Sequence, residues 1–230
     1  MTNREVMLAK LTRREFRQAL EQGKFQAAII PTGSNEQHLE HLAMEHDIAS
    51  STYVAREAAK LLYPQVIVSV PMAVGISEHH MVQKGTITAK PGSWLAVLFD
   101  AVESLVRHGI RKVLILNGHG GNVAPVEGVK PQWDLYFNSV DPEIDLQFQS
   151  YWDLSRDIAE QHCSTSVPGH AQEYETAFAL ALFPENVRHD AMREQEDREP
   201  LLASAEQGRA MAAAAVSKTA EFVLGMIEGK

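Results

Sequence analysis

Cysteine is nearly absent from this sequence of 230 residues, because Cys163 is the only one. A single cysteine excludes an intramolecular disulfide framework, so the fold must depend on a packed core. Basic residues are also scarce: 21 Lys and Arg stand against 30 Asp and Glu, which gives a formal net charge of -9. This balance argues against nonspecific binding of nucleic acid or of an anionic membrane surface. We therefore expect a small-molecule partner.

The sequence has no evident apolar run of bilayer-spanning length and no basic segment followed by an apolar export signal. We therefore expect a cytoplasmic protein with no membrane partner. The composition, with 45% hydrophobic and 22% charged residues, is typical of a globular protein. The length suits one compact domain, so we expect residues 1–230 to form a single domain.

Short β-branched runs alternate with helical patterns along the chain. Strands are predicted at residues 27–31, 66–70, 112–117 and 146–151. Helices are predicted from Thr12 to Gly23, through Ala58 and Leu62, and over residues 94–108, 153–161, 174–183 and 201–227. This alternation predicts an α/β layered domain with a largely parallel sheet. Because ligands of such sheets bind at the carboxyl ends of the strands, the loops that follow the first three strands should converge on one site.

The loop after the first predicted strand concentrates side chains that bind metals. Glu36 and His38 are one residue apart, and in an extended segment they point to the same side. Asp47 follows and could bridge two ions. The loop taken alone is equally compatible with a solvated acidic segment.

Two further segments add imidazoles and carboxylates. The segment N-G-H-G-G-N follows a predicted strand, and its glycines permit close approach of a ligand, so His119 is expected to point into the cleft. A tight turn with an incidental histidine is the alternative. The segment G-H-A-Q-E-Y-E-T contains His170, Glu173 and Glu175 at the start of a predicted helix, where the carboxylates also complement the helix dipole.

Taken together, these segments resemble the creatininase (creatinine amidohydrolase) family. The match lies in P-x-G-S-x-E-Q-H with its trailing Asp, in N-G-H-G-G-N and in G-H-A-x-E-x-E-T, and it spans roughly residues 27–182. The resemblance implies a three-layer αβα sandwich with a largely parallel sheet. It also implies two divalent metal ions per subunit, Zn, Mn or Fe, at the carboxyl edge of the sheet, and a homo-oligomer, usually a hexamer.

The resemblance also implies roles for individual residues of the metal site. Asp47 would bridge the two ions, and the other ligands would be Glu36 and His119 on one ion and His38 on the other. Creatininase completes the second site with a Glu two residues after the histidine of N-G-H, but this sequence has Gly121 there. Glu175 is therefore the expected replacement.

The remaining site residues are expected to act on the substrate. His170 is the candidate general acid/base, because imidazole titrates near neutral pH. Glu173 is a further catalytic candidate and the less secure alternative to Glu175. Ser77, His79 and Gly120 are expected to contact the substrate, although Ser77 is also compatible with a loop-capping hydroxyl and His79 with a solvated imidazole.

The sequence departs from the family pattern in two segments of the expected pocket wall. Residues 39–43 replace the usual G-P-H-L-P, and residues 83–86 replace the usual F-P-G-T. The expected ligands are unaffected, so we expect a metal-dependent hydrolase that opens a small polar, cyclic substrate at an amide C–N bond. Ring opening of a keto-inositol such as 3-dehydro-scyllo-inosose, at a C–C bond, is the alternative reaction.

Three other interpretations compete with a metal hydrolase. Cys163 as a nucleophile is disfavoured, because it lies outside all three motifs. A metal-stabilised protein that binds a sugar or another metabolite would keep the ligands and lack turnover. An oligomeric interaction module with structural histidines would bind little metal.

Overall fold

Four parallel strands form a single sheet in the computed structural model, which describes residues 4–230. The strands are β1 (Ala27–Thr32), β2 (Val66–Val68), β3 (Lys112–Asn117) and β4 (Asp145–Ser150), in the order β2-β1-β3-β4. All three pairings are parallel, and β1 pairs with β3 from Ala27 opposite Lys112 to Thr32 opposite Asn117. The predicted parallel sheet is confirmed. β3 has the predicted bounds, whereas β2 ends two residues earlier than predicted.

Helices connect and cover the strands. They are α1 (Arg13–Glu21), α2 (His46–Leu61), α3 (Pro91–Arg107), α4 (Val123–Val140), α5 (Tyr151–Leu154), α6 (Arg156–His162), α7 (Glu173–Leu182), α8 (His189–Glu194) and α9 (Ala205–Glu228). Short 3-10 turns lie at Leu8–Lys10, Glu78–His80, Gly120–Asn122, Pro184–Asn186 and Glu199–Leu202.

Several helices differ from the prediction. α3 begins at Pro91 rather than at residue 94, and α4 and α8 lie where no helix is predicted. The helix predicted over residues 153–161 is interrupted at Ser155, which separates α5 from α6. The last helix begins at Ala205 rather than at 201, because Ser204 and Gln207 form a capping box: the Ser204 side chain accepts the Gln207 backbone N–H, and the Gln207 side chain accepts the Ser204 backbone N–H.

Side chains alternate between the two faces of the sheet and bury each face under helices. Ala27 and Ile29 pack into one core cluster with residues of α2, α7 and α9. Ala28 and Ile30 point to the opposite face and pack with residues of α3 and α4. This alternation with period two is what a sheet buried on both faces requires. The predicted three-layer αβα sandwich is confirmed.

Contrary to the expectation from the sequence, α9 is long and apolar enough to cross a membrane, judged by length and composition alone. Its buried side chains, among them Met211, Ala215 and Val223, pack into the same cluster as β1. Its most extensive contacts are with α7 and α2. These contacts are those of a core helix, which satisfies the same criteria of length and apolarity.

The close approach of α9 to α7 leads to a prediction about stability. A Cβ atom at Gly208 would overlap the backbone carbonyl of Ala177 in α7. We expect Gly208→Ala to lower the free energy of unfolding by about 1–3 kcal/mol, because the added methyl group forces the two helices apart. The measurement is the urea unfolding midpoint.

The matched control lies in the same helix. A Cβ atom at Gly225 meets no atom within 4 Å, so Gly225→Ala should leave stability unchanged or raise it by up to about 1 kcal/mol through the better helix propensity of alanine. Equal unfolding midpoints for the two variants would contradict the tight contact between α7 and α9.

Candidate metal centre

Buried carboxylates and imidazoles meet at the carboxyl edge of the sheet. The loop after β1 contributes Glu36 and His38, and His119 directly follows β3. The first turn of α2 contributes Asp47, and the first turn of α7 contributes Glu175. All five residues are buried, with at most 5% of their surface exposed. Parallel strands explain the convergence, because the loops that leave their carboxyl ends lie side by side.

Asp47 lies at the middle of this cluster. Its Oδ1 is 3.0 Å from Nε2 of His38, and its Oδ2 is 2.9 Å from Nδ1 of His119. On the two outer sides, Oε2 of Glu175 is 3.7 Å from His38 Nε2, and Oε1 of Glu36 is 3.3 Å from His119 Nδ1. The cluster therefore divides into two halves that share Asp47.

Hydrogen bonds on the far side of each imidazole determine which nitrogen faces the carboxylates. Nδ1 of His38 is 3.0 Å from the Glu36 carbonyl oxygen, and Nε2 of His119 is 3.1 Å from the Ile76 carbonyl oxygen. A carbonyl accepts only from an N–H, so in the neutral rings the opposite nitrogens present lone pairs to the carboxylates. Lone pairs and carboxylate oxygens repel one another unless a positive charge lies between them.

The pKa values of these groups also indicate that the cluster requires positive charge. Burial opposes the charged form of His38, yet Asp47 and Glu175 raise its pKa to about 10. Burial likewise opposes the charged form of His119, whose pKa Asp47 and Glu36 raise to about 10. Burial raises the pKa of Glu175 to about 7, against the influence of His38. The cluster thus demands positive charge, and protons compete with metal cations for the same atoms.

Two carboxylate oxygens of the cluster suit a cation directly. Oε2 of Glu36 and Oδ2 of Asp47 are buried and accept no hydrogen bond from the residues that the structure describes. A buried carboxylate oxygen without a partner is costly, and coordination removes that cost. The mixed set of imidazole nitrogens and carboxylate oxygens fits Zn, Mn or Fe.

The position of Gly121 explains why Glu175 takes part. A Cβ atom at Gly121 would lie 2.9 Å from His79 Cε1, and closer still to the Ile76 carbonyl oxygen and His119 Nε2. This backbone therefore has no room for a side chain at residue 121 unless its neighbours shift. A carboxylate for the His38 half must come from another element, and α7 supplies Glu175.

Glu173, the other carboxylate considered from the sequence, lies outside the cluster. Its Oε2 accepts the backbone N–H groups of Ser164 and Thr165 at 2.7 and 3.0 Å, and its Oε1 accepts Nε2 of Gln207 at 3.1 Å. Residues two apart on a helix do not face the same side, so Glu173 points away when Glu175 points in. The structure gives Glu173 a role in holding the loop before α7, and not the catalytic position expected from the sequence.

A cavity of about 250 Å³ opens beside the cluster. Three of the residues expected to act on the substrate, His79, Gly120 and His170, line it together with His80 and Trp152. Ser77 does not line it: its hydroxyl is fully buried, 3.1 Å from His119 Nε2 and 2.5 Å from Ser34 Oγ. The structure therefore shows Ser77 behind His119, and its contact with substrate stays a prediction.

Among the residues that the structure describes, three groups place their possible metal-binding atoms within 4.8 Å of one another. They are Glu36, His38 and His170; Glu36, His79 and His119; and His38, Asp47 and Glu175. The first set leaves open a ligand role for His170, which a variant can test. Two residues near the cavity were missed from the sequence as functional: Gln37, which bonds to His80 and His170, and Trp152. Only the position of Gln37 between two expected ligands could have indicated it.

Comparisons with known proteins agree with the motifs. The family model for creatininase, described as creatinine amidohydrolase, matches residues 9–201. The chain is 25% identical over 201 residues to a creatinine amidohydrolase from Pseudomonas putida, which covers 82% of this chain and 76% of the relative. A solved structure of creatinine amidohydrolase has a TM-score of 0.82 at 22% identity, covering 95% of this chain and 96% of the other. The structural match shows the same fold.

Two other relatives carry different names. A mycofactocin precursor peptide peptidase from Mycobacterium ulcerans is 29% identical over 172 residues, covering 71% of this chain and 61% of the relative. A 3-dehydro-scyllo-inosose hydrolase from Thermotoga maritima is 29% identical over 183 residues, covering 78% of this chain and 57% of the relative. Solved structures of a manganese creatininase and of a mutant creatininase of zinc-zinc type each have a TM-score of 0.81.

The two carboxylates at the start of α7 give a direct test of the cluster. We expect Glu175→Gln to lose about one zinc equivalent per subunit, because the amide removes a negative charge next to His38. Glu173→Gln should keep its zinc and instead unfold at a lower temperature, because its carboxylate holds backbone N–H groups. Elemental analysis after dialysis measures the metal, and loss of zinc from Glu173→Gln would contradict the assignment.

Proposed function

This chain belongs to the creatininase family and is a hydrolase, and on that premise we propose that it requires divalent metal ions and opens a small polar, cyclic substrate at an amide C–N bond. The observation that carries the proposal is the buried cluster of three carboxylates and two imidazoles whose ring nitrogens face the carboxylate oxygens. Such a cluster is stable only around positive charge, and it lies beside a cavity of about 250 Å³.

The arrangement of the ligands supports two ions rather than one. Asp47 turns one oxygen toward His38 and the other toward His119. Glu175 would join the His38 half and Glu36 the His119 half. Divalent ions held by these residues would supply a water nucleophile of lowered pKa and would polarise a substrate carbonyl.

His170 is the candidate for moving protons. Burial lowers its pKa to about 4, with His38 and His80 adding to the effect. Its imidazole is therefore neutral near pH 7 and lines the cavity, where it can donate the proton of one ring nitrogen while accepting a proton at the other. Gly120, whose backbone lines the same cavity, is exposed to a bound substrate.

The size of the cavity favours a small substrate. About 250 Å³ lies below the roughly 300–1,000 Å³ that is usual for ligand pockets, which suits a small substrate. The relatives include a hydrolase of a keto-inositol and peptidases, so ring opening of a keto-inositol at a C–C bond is the second candidate reaction. A metabolite-binding protein without turnover is the remaining alternative.

Two variants test the division between metal ligand and proton carrier. We expect Asp47→Ala to lose metal from both halves of the cluster and all activity, because its oxygens face both histidines. His170→Ala should keep its metal and lose turnover by about 100-fold to 10,000-fold. Metal content and turnover are measured on the same preparations. Loss of metal from His170→Ala would instead make His170 a ligand.

A substrate screen tests the reaction. Zinc- and manganese-loaded protein is incubated with cyclic amides, keto-inositols and short peptides, and product amines and acids are quantified. We expect metal-dependent product from cyclic amides. Product from keto-inositols alone would instead establish ring opening at a C–C bond. Stoichiometric metal with binding but no product from any class would favour the metabolite-binding alternative.

The remaining expectations concern the protein outside its site. Assembly into a homo-oligomer, a hexamer by family resemblance, and the cytoplasmic location both stay predictions.

A further inference from the structure

The amide of Gln37 has a defined orientation beside two histidines near the metal cluster. Its Oε1 accepts the backbone N–H of Leu39 at 3.0 Å, and its own backbone N–H donates to Thr86 Oγ1 at 3.1 Å. If the amide were flipped, its NH₂ group would face the N–H of Leu39. The amide nitrogen must therefore lie on the opposite side, toward the histidines.

Two imidazoles receive the two N–H groups of this amide. Nε2 of Gln37 is 2.9 Å from Nδ1 of His80 and 2.8 Å from Nε2 of His170. The two rings stack on one another, with centroids 4.5 Å apart and planes 20° apart. An NH₂ group only donates, so each of these ring nitrogens must accept and carries no proton.

The protons of the two neutral rings then lie on their other nitrogens, and both of these face Glu36. Nε2 of His80 is 3.9 Å from Glu36 Oε1, and Nδ1 of His170 is 3.8 Å from the same oxygen. Both N–H groups thus point toward Oε1. The other oxygen, Oε2, is buried and accepts no hydrogen bond from the described residues.

We propose that Gln37 is a positioning residue that selects the tautomers of His80 and His170, directing an N–H of each ring toward Glu36 Oε1. This arrangement turns an N–H of each ring toward the Glu36 carboxylate and leaves Oε2 without a donor. It also places the transferable proton of His170 on Nδ1, beside the cluster, and not on Nε2. A neutral amide performs this selection without adding charge to the site.

The tautomers can be measured directly by two-bond ¹H–¹⁵N correlation spectra of protein with ¹⁵N-labelled histidine, in metal-free and in zinc-loaded form. His80→Asn and His170→Asn spectra assign the signals. We expect His170 with its proton on Nδ1 and His80 with its proton on Nε2. A proton on His170 Nε2 or on His80 Nδ1 would overturn the proposal.

Variants at residue 37 test the cause. Gln37→Met has a similar shape without donors, so each ring should become a mixture of tautomers. Gln37→Glu replaces the donors by acceptors, so the ring nitrogens that face residue 37 should become protonated. A wild-type pattern in both variants would show that other contacts select the tautomers.

Gln195→Met is the matched control. Gln195 also bonds to a histidine, with its Oε1 3.3 Å from Nδ1 of His41, but its other side-chain hydrogen bonds go to Glu40 and Asp197 and not to His80 or His170. This variant should leave the signals of His80 and His170 unchanged. A change as large as that in Gln37→Met would indicate a general loss of structure and would count against a specific role for Gln37.

The kinetic consequence rests on the proposed function. With the substrate found by the screen, Gln37→Met should lower kcat by about 10-fold to 100-fold with little change in KM, because substrate contacts are intact and proton transfer is misdirected. A wild-type kcat with altered tautomers would overturn the catalytic part. Failure of metal binding or hydrolysis in the wild-type protein would overturn the proposed function, and the tautomer spectra would still report on Gln37.

Discussion

Electrostatic repulsion among three buried carboxylates is the constraint on which the centre depends. Glu36, Asp47 and Glu175 come from three different elements and would repel one another in a low-dielectric interior. Two imidazoles separate them, and hydrogen bonds to backbone carbonyls turn a lone pair of each ring inward. The protein thereby maintains a site that is incomplete until cations or protons neutralise it. Its location follows from the parallel sheet, which brings the loops of β1 and β3 to one edge.

Backbone contacts hold these elements close enough for the cluster to form. A Cβ atom at Gly33 would lie 2.5 Å from the Ile48 backbone nitrogen, and one at Gly118 would lie 2.5 Å from the Asp47 carbonyl oxygen. The start of α2 is therefore packed against both loops without intervening side chains. This close packing makes the position of Asp47 insensitive to rotamer changes nearby, which suits a ligand shared by two halves of a site.

Much of this arrangement could be predicted from the sequence, and the failures have identifiable causes. The strands follow from local patterns, and the candidate ligands Glu36, His38 and His119 lie in the segments that leave β1 and β3 at their carboxyl ends. The choice between Glu173 and Glu175 depended on the rotation of α7 about its axis, which is set by packing on α9 and not by any local signal. The position of Ser77 behind His119 could not be predicted, because the path of a long loop, and with it the direction of its side chains, is a tertiary property.

The origin of Glu175 in α7 links the metal centre to the far end of the chain. The proposed ligand Glu175 lies in α7, and the Ala177 carbonyl of that helix packs against Gly208 of α9. α9 consequently supports the position of Glu175, although it contributes no side chain to the cluster. Relatives that take the equivalent carboxylate from the loop after the third strand would not share this dependence. Members of one family that place this carboxylate on different elements therefore differ in which packing contacts support the site.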